Sequence, residues 1–168
     1  MIVEPATPAD LDAIDEIERH SFPIPWPRAT FEAELVRDVG RLVVTRDDRG
    51  AVIAFCNYWL VVPARGARND DNQGAVGELH LLAIATHPDR RRAGLGAALL
   101  AHVLDDGRRN DCTVATLEVR RGNAPAIALY ERAGFMTVHV RARYYQDNNE
   151  DALVMTCDLS ANLTEPRR

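Results

Sequence analysis

The chain has 168 residues, 46% of them hydrophobic and 27% charged, with a formal net charge of −5. That length buries roughly 70% of the unfolded surface, enough for one core without a metal or disulfide staple. No apolar run reaches the roughly 18 residues of a membrane span, and the acidic balance argues against direct nucleic-acid binding.

The opening Met1-Ile2-Val3-Glu4-Pro5 has neither the basic start nor the small-residue cleavage site of a leader. Cys56, Cys112 and Cys157 are odd in number and far apart, which reads as buried free thiols in a reducing compartment. A cytoplasmic protein is predicted.

Thr7-Pro8-Ala9-Asp10 has the pattern of a helix start, with a hydroxyl cap, an early proline and an acid facing the dipole. Leu11, Ile14 and Ile17 then recur at helical spacing among Asp12, Asp15, Glu16 and Glu18, so one buried stripe faces away from a polar side. Three prolines in Phe22-Pro23-Ile24-Pro25-Trp26-Pro27 break that helix, and Phe31 and Leu35 mark a short second one. Arg41–Arg46 and Ala51–Val62 are predicted strands joined across Asp47-Asp48-Arg49-Gly50.

Arg65–Gly77 is polar and reads as a loop. Glu78–Ala85 is the next strand, and Leu95, Leu99 and Val103 share one face of the helix after it. Thr113–Val119 is a strand, and Asn123 caps a helix that runs to Ala133 and stops at Gly134. Thr137–Tyr145 and Ala152–Leu159 close the fold. Residues 1–160 form a single α/β domain with a mixed sheet in this reading, and 161–168 a frayed tail.

Two places carry chemistry. Arg91-Arg92-Ala93-Gly94-Leu95-Gly96 lies where a strand hands over to a helix, and phosphates bind at helix N-termini because the first amides lack partners. Glycines at 94 and 96 let a pyrophosphate approach the backbone, and Arg90, Arg91 and Arg92 add positive charge. The same turn also reads as a plain packing turn with a solvated basic run. It has neither the third glycine of a dinucleotide fingerprint nor the Lys-Ser/Thr of a P-loop.

The second place is the strand with Thr116 and Glu118 on one face and Ala115, Leu117 and Val119 on the other. By pattern alone Glu118 is either a proton acceptor or a rim carboxylate paired with Arg120 or Arg121. Tyr130, on an apolar helical stripe, is by itself a core tyrosine. Glu78 and His80 alternate on the preceding strand, and an imidazole exchanges protons near neutral pH. No cluster has metal-ligand spacing.

The segment Ala83-Ile84-Ala85-Thr86-His87-Pro88-Asp89 with Arg91-Arg92-Ala93-Gly94-Leu95-Gly96-Ala97-Ala98-Leu99-Leu100 resembles the acetyl-CoA signature of the GNAT superfamily of N-acetyltransferases. Leu117-Glu118-Val119-Arg120 and the run from Asn123 to Phe135 resemble the family's next strand and helix. Tyr144-Tyr145, Glu150-Asp151-Ala152, Met155 and the Pro25-Trp26 loop resemble one subgroup, the bacterial ribosomal-protein-alanine N-acetyltransferases. Ala83 departs from that subgroup, which often has asparagine there, and the Arg65–Gly77 loop is longer than usual.

The resemblance implies a GNAT fold, a mixed and mostly antiparallel seven-stranded sheet flanked by about four helices, with acetyl-CoA as co-substrate and no metal. It implies that the backbone of Ile84, Ala85 and Thr86 pairs with the pantetheine arm and that the amides from Arg91 through Arg92, Ala93, Gly94 and Leu95 to Gly96 hold the pyrophosphate. Asn123 falls at a further coenzyme contact. Glu118 falls at the subgroup's general base and Tyr130 at the acid that protonates the departing thiolate, with the Glu78/His80 strand the rival source of the base. The implied acceptor is a peptide or protein N-terminus, a ribosomal protein in the subgroup. The same fold also serves small-molecule amine acetyltransferases, and a non-catalytic acetyl-CoA sensor is the remaining alternative.

Overall fold

The computed structural model describes residues 1–63 and 76–160. The predicted Arg65–Gly77 loop, up to residue 75, and the 161–168 tail lie outside the described residues. The elements run β1 Val3–Pro5, α1 Leu11–Ser21, α2 Arg28–Leu35, β2 Gly40–Arg46, β3 Val52–Val61, β4 Gly77–Thr86, α3 Leu95–Arg109, β5 Cys112–Arg120, α4 Ala124–Arg132, β6 Met136–Tyr145 and β7 Glu150–Asp158.

The strands form a seven-stranded sheet in the order β1-β2-β3-β4-β5-β7-β6. β1 with β2, β5 with β7, and β6 with β7 are antiparallel. β4 and β5 are neighbours in the sheet, with α3 between them in the chain. The architecture is α/β with four α-helices among the described residues, as the resemblance implied.

The chain divides into two compact units, Met1–Tyr58 with Leu81–His102, and Trp59–His80 with the chain from Val103 onward. In the first, the α1 stripe Leu11, Ile14 and Ile17 joins Phe31 of α2, Leu42 and Val44 of β2, Val52 and Phe55 of β3, and Ala83 and Ala85 of β4 in one core. Burying each of the larger side chains contributes about 1.5–3 kcal/mol. Phe31 meets Phe55 edge-on at 5.5 Å and Trp26 at 5.9 Å, so the proline-broken loop is anchored by its tryptophan.

The start of α1 differs from the sequence expectation. The chain makes one 3-10 turn at Pro8–Asp10, and the α-helix begins at Leu11. Asp10 accepts from the Thr7 amide at 2.8 Å and the Thr7 hydroxyl at 2.9 Å, a reciprocal i,i+3 pairing that fits the tighter helix. Its other oxygen meets Arg46 at 2.7 Å.

Glu18 also departs from its expected place on the polar side, being only 2% exposed. It lies one turn beyond Ile14 and two beyond Leu11, so it extends the buried stripe. Its Oε1 accepts from the Trp26 amide at 3.0 Å, while Oε2 has no partner among the described residues. Burial pushes its carboxyl up to about 7 from an ordinary 4.5, with Asp15 adding to the rise and the Trp26 amide opposing it.

An acid whose pKa is raised by folding gives its full stabilisation below 4.5 and loses it as pH climbs through about 7. The loss amounts to as much as about 3 kcal/mol. Glu18→Gln keeps an acceptor for the Trp26 amide and does not titrate. The variant is expected to melt above the wild type at pH 8, with the gap closing below pH 5. A gap that stays constant between those pH values would show that Glu18 carries no such penalty.

In the second unit, β4 and β5 alternate cleanly. Leu79, Ala115, Leu117 and Val119 are buried, whereas Glu78, His80, Thr116, Glu118 and Arg120 are half-buried on the opposite face. The expectation that Thr116 and Glu118 point together holds. The three cysteines are free and buried, and burial pushes the Cys112 thiol up to about 11, with nearby Asp106, Asp111 and Glu78 adding to the rise.

Candidate active site

Glu118 is the centre of a small charged network. Its Oε2 lies 2.9 Å from His80 Nε2, and its Oε1 lies 3.1 Å from Arg141 Nη1. The register explains both contacts. Glu118 pairs with Val154 of β7, which pairs with His139 of β6, and the next same-face row is Arg120, Ala152 and Arg141. Two strand spacings of about 4.8 Å are within reach of an arginine side chain lying diagonally across the face. A carboxylate paired with a guanidinium only accepts hydrogen bonds, so His80 donates to it from Nε2.

The neighbours hold this network in place. Trp59 of β3 meets the His80 ring edge-on at 6.1 Å. The Thr116 hydroxyl donates to Glu78 Oε1 at 2.6 Å, so one of the two strand candidates is already engaged. The alternative in which Glu118 pairs with Arg120 or Arg121 is corrected by the geometry. Arg120 binds Asp147 at 3.0 Å and Glu150 at 3.2 Å, and Arg121 binds Asp151 at 3.2 Å. Arg120 also stacks 3.9 Å over the Tyr145 ring. Burial pushes the Tyr145 phenol up to about 12, a rise that Arg120 opposes.

Tyr130 lies on α4 and is 7% exposed, its ring 5.8 Å from that of Phe135. α4 forms because Asn123 caps it, Oδ1 accepting from the Ala126 amide at 3.3 Å, with Pro125 in the first turn. Gly134, at φ +94°, ends the turn after it. Asn123 thus has a structural task at its oxygen.

The glycine turn before α3 belongs to the first unit. Ile84, Ala85 and Thr86 end β4, and Ala85 is buried while its two neighbours are half-buried. The Gly94 carbonyl accepts from Ala98 N at 3.0 Å, the first helical bond of α3. The amides of Leu95, Gly96 and Ala97 therefore have no acceptor within their own helix. Arg92 at φ +62° and Gly94 at φ +76° are the left-handed residues of the turn. A Cβ on Gly94 would meet nothing within 4 Å.

The three arginines differ in their partners. Arg90 pairs with Asp47 at 3.1 Å. Arg91 reaches the end of α1, bonding His20 O at 3.0 Å and Ser21 Oγ at 3.3 Å. Arg92 has no partner among the described residues. Those residues hold no group of three or more metal-ligating side chains, and no helix among them is long and apolar enough to cross a membrane.

A seven-stranded sheet of this order flanked by helices is the frame of an acetyl-CoA-dependent N-acetyltransferase. The chain belongs to the acetyltransferase (GNAT) family, whose model matches residues 11–135. It is 34% identical to the ribosomal protein bS18-alanine N-acetyltransferase of Escherichia coli K12 over 153 residues, 90% of this chain and 93% of that protein. It is 32% identical to the N-alpha-acetyltransferase RimI of Mycobacterium tuberculosis, over 90% of this chain and 89% of that one. The crystal structure of the ribosomal-protein-S18-alanine N-acetyltransferase from Escherichia coli superposes with a TM-score of 0.80 at 31% identity, covering 99% of both chains.

Proposed function

We propose that this enzyme acetylates the N-terminal α-amine of a protein, with an alanine-starting ribosomal protein as the acceptor. The observation that carries the proposal is the Glu118 carboxylate, fixed by His80 and Arg141 on the half-buried face of β5. The relatives that match 89–93% of their own length support the choice of acceptor.

The chemistry follows from the groups present. The acceptor nitrogen attacks the thioester carbonyl, a C–N bond forms, and the C–S bond breaks. Glu118 takes the proton that nitrogen loses as the bond forms, directly or through a water. Tyr130 gives its hydroxyl proton to the departing sulfur and is reprotonated from solvent. The backbone of Ile84, Ala85 and Thr86 holds the pantetheine arm, the amides of Arg91–Gly96 hold the pyrophosphate, and Asn123 offers its amide nitrogen. The thioester is already activated, so no covalent enzyme intermediate is needed.

Deprotonation favours an α-amine over a lysine. Reaching neutrality at pH 7 costs about 1 kcal/mol for an α-amine and about 4.6 for lysine. Two peptides offered under identical conditions test the choice, one with a free N-terminal alanine and one N-terminally blocked with an internal lysine. Mass spectrometry is expected to place the acetyl group on the alanine nitrogen. Preferred labelling of the lysine, or turnover only of free amino acids or aminoglycosides run as controls, would overturn the assignment.

A further inference from the structure

Buried polar atoms are nearly always hydrogen-bonded, so each exception needs an explanation. In the first unit, the buried side-chain atoms without a partner among the described residues belong to two residues. They are Oε2 of Glu18 and both amide atoms of Asn57, residues 2% and 0% exposed.

β3 carries Asn57 into the core that α1 and α2 complete. Asn57 is two residues along from Phe55 and shares its face of the strand. The Phe55 ring meets Phe31 at 5.5 Å, and Phe31 meets Trp26 at 5.9 Å. The Trp26 amide in turn bonds the other oxygen of Glu18 at 3.0 Å. One neighbour of β3 is β4, and the His87 amide bonds the Ile53 carbonyl at 2.9 Å. The start of β3 therefore meets the end of β4, and the pair runs antiparallel. Counting four residues inward along each strand sets Asn57 opposite Ala83, a small side chain of the same core. Ala83 is the position at which the subgroup often carries asparagine.

We propose that Asn57 supplies from β3 the amide that the subgroup often carries at position 83, and that it holds ordered water against Glu18, positioning the Phe22–Pro27 loop for the acceptor. The hydrogen bonds balance. Water accepts from Asn57 Nδ2 and donates to Asn57 Oδ1 and Glu18 Oε2, and buried water typically makes about three such bonds. The bridge ties β3 to the loop, because Glu18 already holds the loop through the Trp26 amide. Asn57 thus acts as a positioning residue, through a loop whose Pro25-Trp26 pair is shared with the ribosomal-protein enzymes. That role rests on the acceptor reading above, and the water does not.

A crystal structure of the wild-type protein tests the water, with density expected within hydrogen-bond reach of Glu18 Oε2 and the Asn57 amide. Kinetics test the role. KM and kcat for an N-terminal alanine peptide, and the calorimetric Kd for acetyl-CoA, are compared in wild type, Asn57→Ala and Asn57→Ala/Ala83→Asn. Asn57→Ala is expected to raise the peptide KM roughly tenfold, with kcat within about twofold and the coenzyme Kd unchanged. The exchange variant returns the amide from β4 at unchanged composition and is expected to restore KM. Asn57→Ser keeps one hydroxyl for the water and should fall between. A residue that only fills the core would lower Tm without moving KM. A dry core between Glu18 and Asn57, a KM unmoved by Asn57→Ala, or one that the exchange does not restore would overturn the proposal. Wild-type protein that binds acetyl-CoA and leaves the peptide unacetylated would sink the acceptor reading and the positioning role with it, while the density still decides the water.

Discussion

Tyr130→Phe is expected to lower kcat by about 10²–10⁴-fold while leaving the Kd for acetyl-CoA little changed. The ring is 7% exposed and sits 5.8 Å from Phe135, and phenylalanine preserves both its volume and that contact. What is lost is the hydroxyl, whose proton the proposed mechanism uses only when the thiolate leaves. An interaction made in the transition state alone lowers kcat and kcat/KM together and spares ground-state binding. Single-turnover rates isolate the chemical step from product release, and calorimetry reports the coenzyme Kd. Full single-turnover rate in the variant would reduce Tyr130 to a core residue.

The sequence carried some of these roles further than others. Period-two alternation on β5 put Thr116 and Glu118 on one face, and the structure keeps them there, because that rule depends only on the local backbone. The start of α3 was legible for the same reason, since a glycine pair after a strand is a local signal. The partners of Glu118 were not. His80 is 38 residues away and Arg141 comes from a strand two places along the sheet, so both depend on register. Arg120 and Arg121, the near neighbours that sequence offered, are drawn off by Asp147, Glu150 and Asp151. The arginine run was undifferentiated in the sequence, because three adjacent charges look alike until Asp47 and the end of α1 engage two of them. Glu18 could have been found from its heptad spacing to Leu11. Polarity outweighed position in that reading, and what reverses it is the Trp26 amide brought back by the proline loop.

Gly94→Val is expected to weaken acetyl-CoA binding by about a hundredfold or more, the loss of two charge-assisted hydrogen bonds at about 1.5–3 kcal/mol each. Two effects act together at this position. Gly94 has φ +76°, where a β-branched residue is strained, so the turn shifts and the amides of Leu95 and Gly96 lose their aim. The new methyls also add bulk to the turn at a position where a Cβ meets nothing within 4 Å. Strain alone cannot account for the result if a matched control is run. Gly50, in the turn between β2 and β3, has φ +84° and is equally open around its Cβ. Gly50→Val should therefore cost comparable stability, read as a similar fall in Tm, and leave the coenzyme Kd near wild type. The arginines grade the electrostatic share. Arg90→Ala removes a charge already committed to Asp47 at 3.1 Å, and an exposed pair of that kind contributes about 0–1 kcal/mol, so Kd should rise less than about fivefold. Arg92→Ala removes the cation that has no such partner and should cost more than Arg90→Ala, yet less than Gly94→Val. Calorimetric titration of the four variants decides the order. Equal affinity in folded Gly94→Val and wild type, or an equal loss in Gly50→Val, would place the pyrophosphate somewhere other than the N-terminus of α3.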